Sequence, residues 1–143
     1  MTPSAPVKFD DLLAAYEWVS SSPGDSEAFV SRLTGMVHWS SSTIELDEAL
    51  PEDIEDGRIY VAVPNKYDLN LGKNLALTFA EERLADSYQT VANLFRQRGA
   101  YARFKDLLER KGLLQAWYDF EAKATELALR EWADDEGISI DAG

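Results

Sequence analysis

One histidine, His38, and no cysteine occur in this chain of 143 residues, so acid–base or metal chemistry would have to be carried by its 26 aspartates and glutamates. Without thiols there are no disulfides and no thiolate metal ligands. A lone imidazole on an expected strand, with no carboxylate at ligand spacing, supports neither a nucleophilic triad nor a histidine metal centre. HExxH, GxSxG, the Walker loop and GxGxxG are all missing, and Gly72-Lys73-Asn74 lacks the upstream glycine and the hydroxyl residue that a phosphate cradle needs. Between Thr43 and Asp56 the acids Glu45, Asp47, Glu48, Glu52, Asp53, Glu55 and Asp56 crowd together, yet not at the D-x-D-x-D-G spacing of a calcium loop. They read as a solvated connector. No catalytic residue, metal or cofactor is assigned on this basis, and carboxylate-based catalysis is kept only as an alternative, because no acid pair is set by its spacing in an apolar context that would perturb its pKa.

Binding chemistry is more visible. The formal net charge is -12, but Arg96 to Gly112, RQRGAYARFKDLLERKG, holds six of the fourteen Lys and Arg residues and only two acids. Residues 1–60 carry 3 basic and 12 acidic side chains, and residues 113–143 carry 2 and 8. A basic island in an acidic chain attracts an acidic partner or a few phosphates, while the rest of the surface repels a long polyanion. The expected contact surface is Arg98, Arg103, Lys105 and Asp106 with the neighbouring ring of Tyr118. Its expected partner is an acidic protein, another copy of the chain included, ahead of nucleic acid. The rings of Tyr101, Trp117 and Tyr118 near basic groups would suit single-stranded nucleic acid if they were exposed, whereas helical spacing places Tyr101 and Trp117 in a core. Internal pairing of the island with the chain's own acids is the plain alternative.

Read as a helix over Ala100–Lys111, the stretch puts Tyr101, Phe104, Leu107 and Leu108 on one face. Arg103, Asp106 and Arg110, and likewise Lys105 and Glu109, have the spacings at which helical side chains meet. Such pairs contribute about 0.2–0.5 kcal/mol each, so packing must hold the helix. Gly99 and Gly112 are expected to close the preceding helix and this one.

Other elements follow in order. A loose tail over residues 1–8 precedes a helix from Asp10 to Ser20, with Phe9, Leu12, Leu13 and Tyr16 on one face and Asp10 and Asp11 at its positive end. Ala28–Arg32 and Met36–Trp39 alternate as a hairpin around Leu33-Thr34-Gly35, and Ile59–Val63 reads as a third strand. Pro64 to Asp68 forms a turn. Leu71, Leu75 and Phe79 mark a short helix, with Thr78 and Glu81 spaced as a capping box for the next. Leu84, Tyr88, Val91 and Phe95 stripe a helix to Gly99. The longest helix, Leu113 to about Glu136, is expected to bury Leu113, Trp117, Phe120, Ala124, Leu127, Ala128 and Trp132, and to be followed by a short tail.

From about Phe9 to Ile140 the chain resembles uncharacterised protein family 0158, a bacterial family. The resemblance rests on Arg98, Gly99, Ala100, Tyr101, Arg103, Phe104, Lys105 and Asp106, then Gly112, Trp117, Tyr118, Glu131, Trp132, Gly137 and Ile138, with Thr34, Gly35 and Val63–Asp68 upstream. Tyr101 stands where the family pattern has Phe, and Ala102 where it often has Arg. The resemblance implies membership of a family without an established activity, and no catalytic roles come with it; it does imply that Lys66 and Tyr67, with Asp68, serve beyond their turn as further candidate binding residues.

With 45% hydrophobic residues and four tryptophans the chain is rich enough for a proper core, and its length suits one domain. No apolar run is long enough to cross a bilayer and the first residues lack a signal-peptide pattern, so no membrane partner is expected and the cytoplasm is the expected location. The expected fold class is α+β, within a single domain over 9–140: an N-terminal helix and a small antiparallel three-stranded sheet over 9–69, packed on a helical half over 70–137. The function it points to is non-enzymatic binding or regulation.

Overall fold

In a computed structural model the described residues are 6–22, 24–41 and 50–141. Five α-helices, a three-stranded antiparallel sheet and a two-stranded parallel pair are found there, so the class is α+β. The chain divides into two compact units, one built from residues 1–69 and 126–143 and the other from residues 70–125.

The first unit begins with strand β1 (Val7–Lys8) and helix α1 (Phe9–Ser21). Asp10 and Asp11 occupy the first turn of α1, where the helix dipole favours negative charge. Its buried face is Leu12, Ala15, Tyr16 and Val19, with Phe9 and Leu13 only partly covered. Strand β2 (Ser26–Ser31) lies at the centre of the sheet between β3 (Val37–Ser41) and β4 (Tyr60–Ala62), in the order β3-β2-β4. Gly35 takes φ +72° in the β2–β3 turn and its N–H donates to the Ser31 carbonyl at 3.0 Å, so the left-handed residue falls where the hairpin was expected to need one. Trp18 lays its indole on this sheet, with Nε1 donating to the Glu27 and Ser40 carbonyls at 3.2 and 3.3 Å and the ring edge-on to Trp39.

Val7 and Lys8, expected in a loose tail, instead form β1. They pair in parallel with β5 (Ile140–Asp141), itself part of the expected C-terminal tail. Val7 is fully buried, which supplies the driving force. Two-residue strands are too short for alternation to be read in a sequence. A second tie is Arg32, whose Nε donates to the Gly57 carbonyl at 3.0 Å and whose two terminal nitrogens donate to the Glu136 carbonyl and carboxylate. It thereby caps the end of the long helix α5 (Leu114–Asp135).

In the second unit α2 (Lys73–Arg83) is longer than expected and runs through Thr78. The Thr78 hydroxyl donates back to the Asn74 carbonyl at 2.9 Å and caps nothing. A 3-10 turn (Ala85–Ser87) leads to α3 (Tyr88–Leu94), which stops well short of Gly99. Bonds from Arg96 N to Asn93 O and from Gln97 N to Leu94 O tighten its end. The apolar stripe survives that break: Leu84 and Val91 are buried, and Tyr88 and Phe95 pack against them. Helix α4 spans Ala100–Arg110, bracketed by Gly99 at φ +70° and Gly112 at φ +71°.

Helix α5 changes its buried face along its length. Trp117 is buried in the first part, with Phe120 and Ala124 partly covered, but from Thr125 onward the buried residues are Thr125, Leu129 and Ala133. Leu127, expected inside, is 60% exposed, and Ala128 and Trp132 are only partly covered. One continuous stripe was the wrong reading, because the helix passes from one unit to the other at Thr125 and Glu126.

Asp56 accepts from the Arg58 backbone N–H at 3.0 Å and from Nε and Nη2 at 3.1 and 3.0 Å. The hydrogen-bonded Arg58 side chain holds the Asp56 carboxyl below its ordinary value. A depressed carboxyl contributes stability at neutral pH that is lost as pH falls through its folded value. A carbon-detected NMR titration should find the Asp56 carboxyl below the ordinary value of an aspartate side chain, and Arg58→Ala should raise it toward that value. Separately, Arg32→Ala should lower unfolding free energy by about 2 kcal/mol in urea denaturation, since hydrogen bonds to charged groups are worth about 1.5–3 kcal/mol. Arg32→Lys should not restore it, because a single ammonium cannot span three acceptors. Unchanged stability in Arg32→Ala would dismiss the tie.

Candidate functional site

The second unit's core decides which side of α4 faces outward. Phe104 and Leu108 are fully buried, and Tyr101 and Leu107 pack against the same cluster. Trp117 is its centre: its ring lies 5.4 Å from Phe79 and 5.1 Å from Phe104, both edge-on, and stacks on Phe120 at 6.2 Å. The indole N–H is buried without a hydrogen-bond partner among the described residues, so packing alone holds the ring. Tyr101 packs edge-on to Phe95 at 5.2 Å. The expected face of α4 is therefore the buried face.

Arg98, Arg103 and Asp106 are consequently exposed and Lys105 is partly covered. Arg103 donates to the side-chain oxygen of Gln97, a neutral acceptor. Lys105 Nζ stands over the Tyr118 ring at 5.6 Å, and that ring is 41% exposed. Among the described residues no ion pair within 4.0 Å includes Arg98, Arg103 or Lys105. The pairs expected from helical spacing do not close: Arg110 Nε donates to the Asp106 backbone carbonyl at 3.4 Å, leaving the Asp106 carboxylate with no cation within reach among the described residues. Long exposed side chains gain too little from such contacts to be held in one geometry. Asp106, Glu109 and Arg110 line an open depression beside the ridge.

Of the three rings near the ridge, Trp117 is fully buried, Tyr101 partly covered and Tyr118 exposed. Lys66 and Tyr67 lie in the other unit. Asn65 Oδ1 accepts from the Tyr67 and Asp68 N–H groups at 2.9 Å each, and the Asn65 N–H donates to the Asp68 carboxylate at 3.1 Å. The Lys66 N–H donates to Ser20 Oγ at 2.9 Å, and its ammonium sits 5.2 Å over the 61%-exposed Tyr67 ring. This turn is a second ammonium-over-tyrosine arrangement, on a hydrogen-bonded loop.

No family model, curated protein or solved structure matches the chain. What the geometry offers thus rests on its own residues. His38 lies on β3 as expected, edge-on to Tyr60 at 5.5 Å. Burial pushes the Tyr60 phenol up, and Asp53 adds to it. Among the described residues no three histidine, aspartate or glutamate side chains converge as metal ligands would. Glu45, Asp47 and Glu48 of the acidic stretch lie outside the described residues. No helix among the described residues is long and apolar enough to cross a membrane. Sequence reasoning missed the apolar tip of the hairpin, where Leu33 is 66% and Met36 57% exposed; the only signal was two large apolar residues flanking the Thr34-Gly35 turn.

The split between core and ridge is measurable. Phe104→Ala should cost about 3–5 kcal/mol of stability, the range for deleting a buried aromatic. Arg103→Ala should stay within about 0.5 kcal/mol, as surface changes do. If the two substitutions lowered the melting temperature equally, Arg103 would belong to the fold and not to a binding surface.

Proposed function

We propose that this chain is a non-enzymatic binding or regulatory protein that grips an acidic segment of a protein partner with Arg98, Arg103 and Lys105, the Tyr118 ring adding an aromatic face. The observation that carries this reading is a set of cations without carboxylate partners among the described residues, on a chain of net charge -12. Repulsion from the rest of the surface selects against extended polyanions, while a short acidic segment meets only the ridge. A guanidinium held by a neutral glutamine keeps its full charge for a carboxylate, which it can bind through two parallel hydrogen bonds. Nucleic acid is the weaker reading, because Trp117 and Tyr101 are engaged in the core and a stacking platform would rest on Tyr118. Membership of uncharacterised protein family 0158 and a cytoplasmic location belong to the same proposal.

Fluorescence anisotropy with a labelled glutamate-rich peptide, and in parallel with a labelled oligothymidine, separates these readings. The peptide should bind the wild-type chain, and Arg98→Glu with Arg103→Glu should weaken it about tenfold or more, equivalent to about 1.4 kcal/mol or more. Unchanged peptide affinity in a folded double variant would remove the ridge from the proposal. Tighter binding of oligothymidine, falling steeply with salt, would move the partner to nucleic acid.

A further inference from the structure

Among the described residues, the sheet of the first unit leaves one strand edge open, and the strand at that edge has none of the usual protections in its own sequence. Ser31 N donates to Met36 O at 2.9 Å, which fixes the phase of the β2–β3 ladder. In the register Val30↔Val37, Phe29↔His38, Ala28↔Trp39, the bonded pairs are therefore Phe29 with His38 and Glu27 with Ser40. The backbone N–H and C=O of Val37 and Trp39 point the other way, off the edge of the sheet. Among the described residues neither meets a hydrogen-bond partner there. The opposite edge is guarded: β4 has three residues, with the Asp56–Arg58 ion pair before it and Pro64 after it. Strand β3 is five residues long and carries no Lys, Glu, Asp or Pro.

Charge says what can cover it. The stretch Leu33 to Ile44, LTGMVHWSSSTI, contains no Asp, Glu, Lys or Arg, in a chain where 28% of residues are charged. Two copies at net charge -12 repel nearly everywhere, and this is where they can approach without facing like charges. The edge is also self-complementary. Antiparallel pairing about a two-fold axis at His38 sets Val37 opposite Trp39 of the second copy and Trp39 opposite its Val37. Each residue then exchanges both of its outward groups, four hydrogen bonds in all.

We infer that β3 is a self-association edge: a second copy of this chain adds its β3 antiparallel to the first, making one continuous sheet in the order β4-β2-β3-β3-β2-β4. This interface is independent of the basic ridge on α4 and responds to salt in the opposite sense. Screening relieves repulsion between two acidic copies, so salt strengthens edge pairing, whereas it weakens docking of the ridge on carboxylates.

Sedimentation velocity of the full chain from micromolar to millimolar concentration, at low and high salt, tests this together with amide hydrogen exchange. The sedimenting mass should rise toward twice that of the chain, further at high salt, and the Val37 and Trp39 amides should slow as concentration rises while those of β4 do not. Val37→Pro deletes an outward N–H that no intramolecular bond among the described residues uses, so the variant should keep the wild-type circular dichroism and remain a monomer. Should that substitution unfold the chain, the wild-type exchange measurement decides alone. A mass of one chain throughout, or a dimer in which Val37 and Trp39 exchange as fast as in dilute solution, overturns the inference. So does a dimer that salt dissociates, which would place the contact on the ridge.

Discussion

Packing around the Trp117 indole is the constraint from which the second unit follows. Phe79 from α2, Phe104 from α4 and Phe120 from α5 itself all close on that ring, so three helices are fixed in rotation by one buried side chain. Once Phe104 and Leu108 point inward, a helix with 3.6 residues per turn has no choice but to turn Arg103 and Asp106 outward. The charge pattern of α4 is thus a by-product of hydrophobic packing in position, though not in composition. Packing would be served equally by glutamates on that outer face. Basic residues there, in a chain otherwise so acidic, are the part that packing does not explain.

The two charge systems in the molecule are built differently. Arg32 and Arg58 satisfy carboxylates or carbonyls over three acceptors or two, and their geometry is closed. Among the described residues Arg103 meets only an amide oxygen, and Lys105 only the face of an exposed ring. Arg32 ties a loop to the end of α5, and Arg58 closes its own turn. Arg103 and Lys105 keep their charge available.

Periodicity made the long elements legible. The face of α4, the hairpin and its turn, the third strand and the close of α4 before Gly112 could all be read from spacing, since each reflects a local rule of burial or backbone conformation, whereas Gly99 opens α4 and does not close α3, which ends at Leu94. The miscues share another cause. Thr78 and Glu81 match a capping box in spacing, yet a threonine hydroxyl satisfies itself equally well on the carbonyl four residues back, and only tertiary packing decides between them. The buried face of α5 follows two cores, and a single stripe cannot describe a helix that serves both. Strands β1 and β5 find their partner 133 residues away in the register Val7↔Ile140, a distance at which no local pattern speaks. At the candidate site, the spacing identified the cations and the outward face, while the fate of the aromatic rings needed the core: Trp117 and Tyr118 are neighbours in sequence and opposites in exposure.

The discontinuous make-up of the first unit has a consequence for how the chain comes to be folded. Residues 70–125 are contiguous and helical, with close partners along the chain, and contacts of that kind form quickly. The first unit needs both ends: β1 waits for β5, and Arg32 waits for the carbonyl of Glu136. During synthesis residues 7–62 leave the ribosome well before their partners at 136–141, so they are secured only after the second unit has been made. Until then the apolar hairpin tip lies in a segment without its last partners, and the negative charge of residues 1–60 sets two such unfinished segments to repel each other.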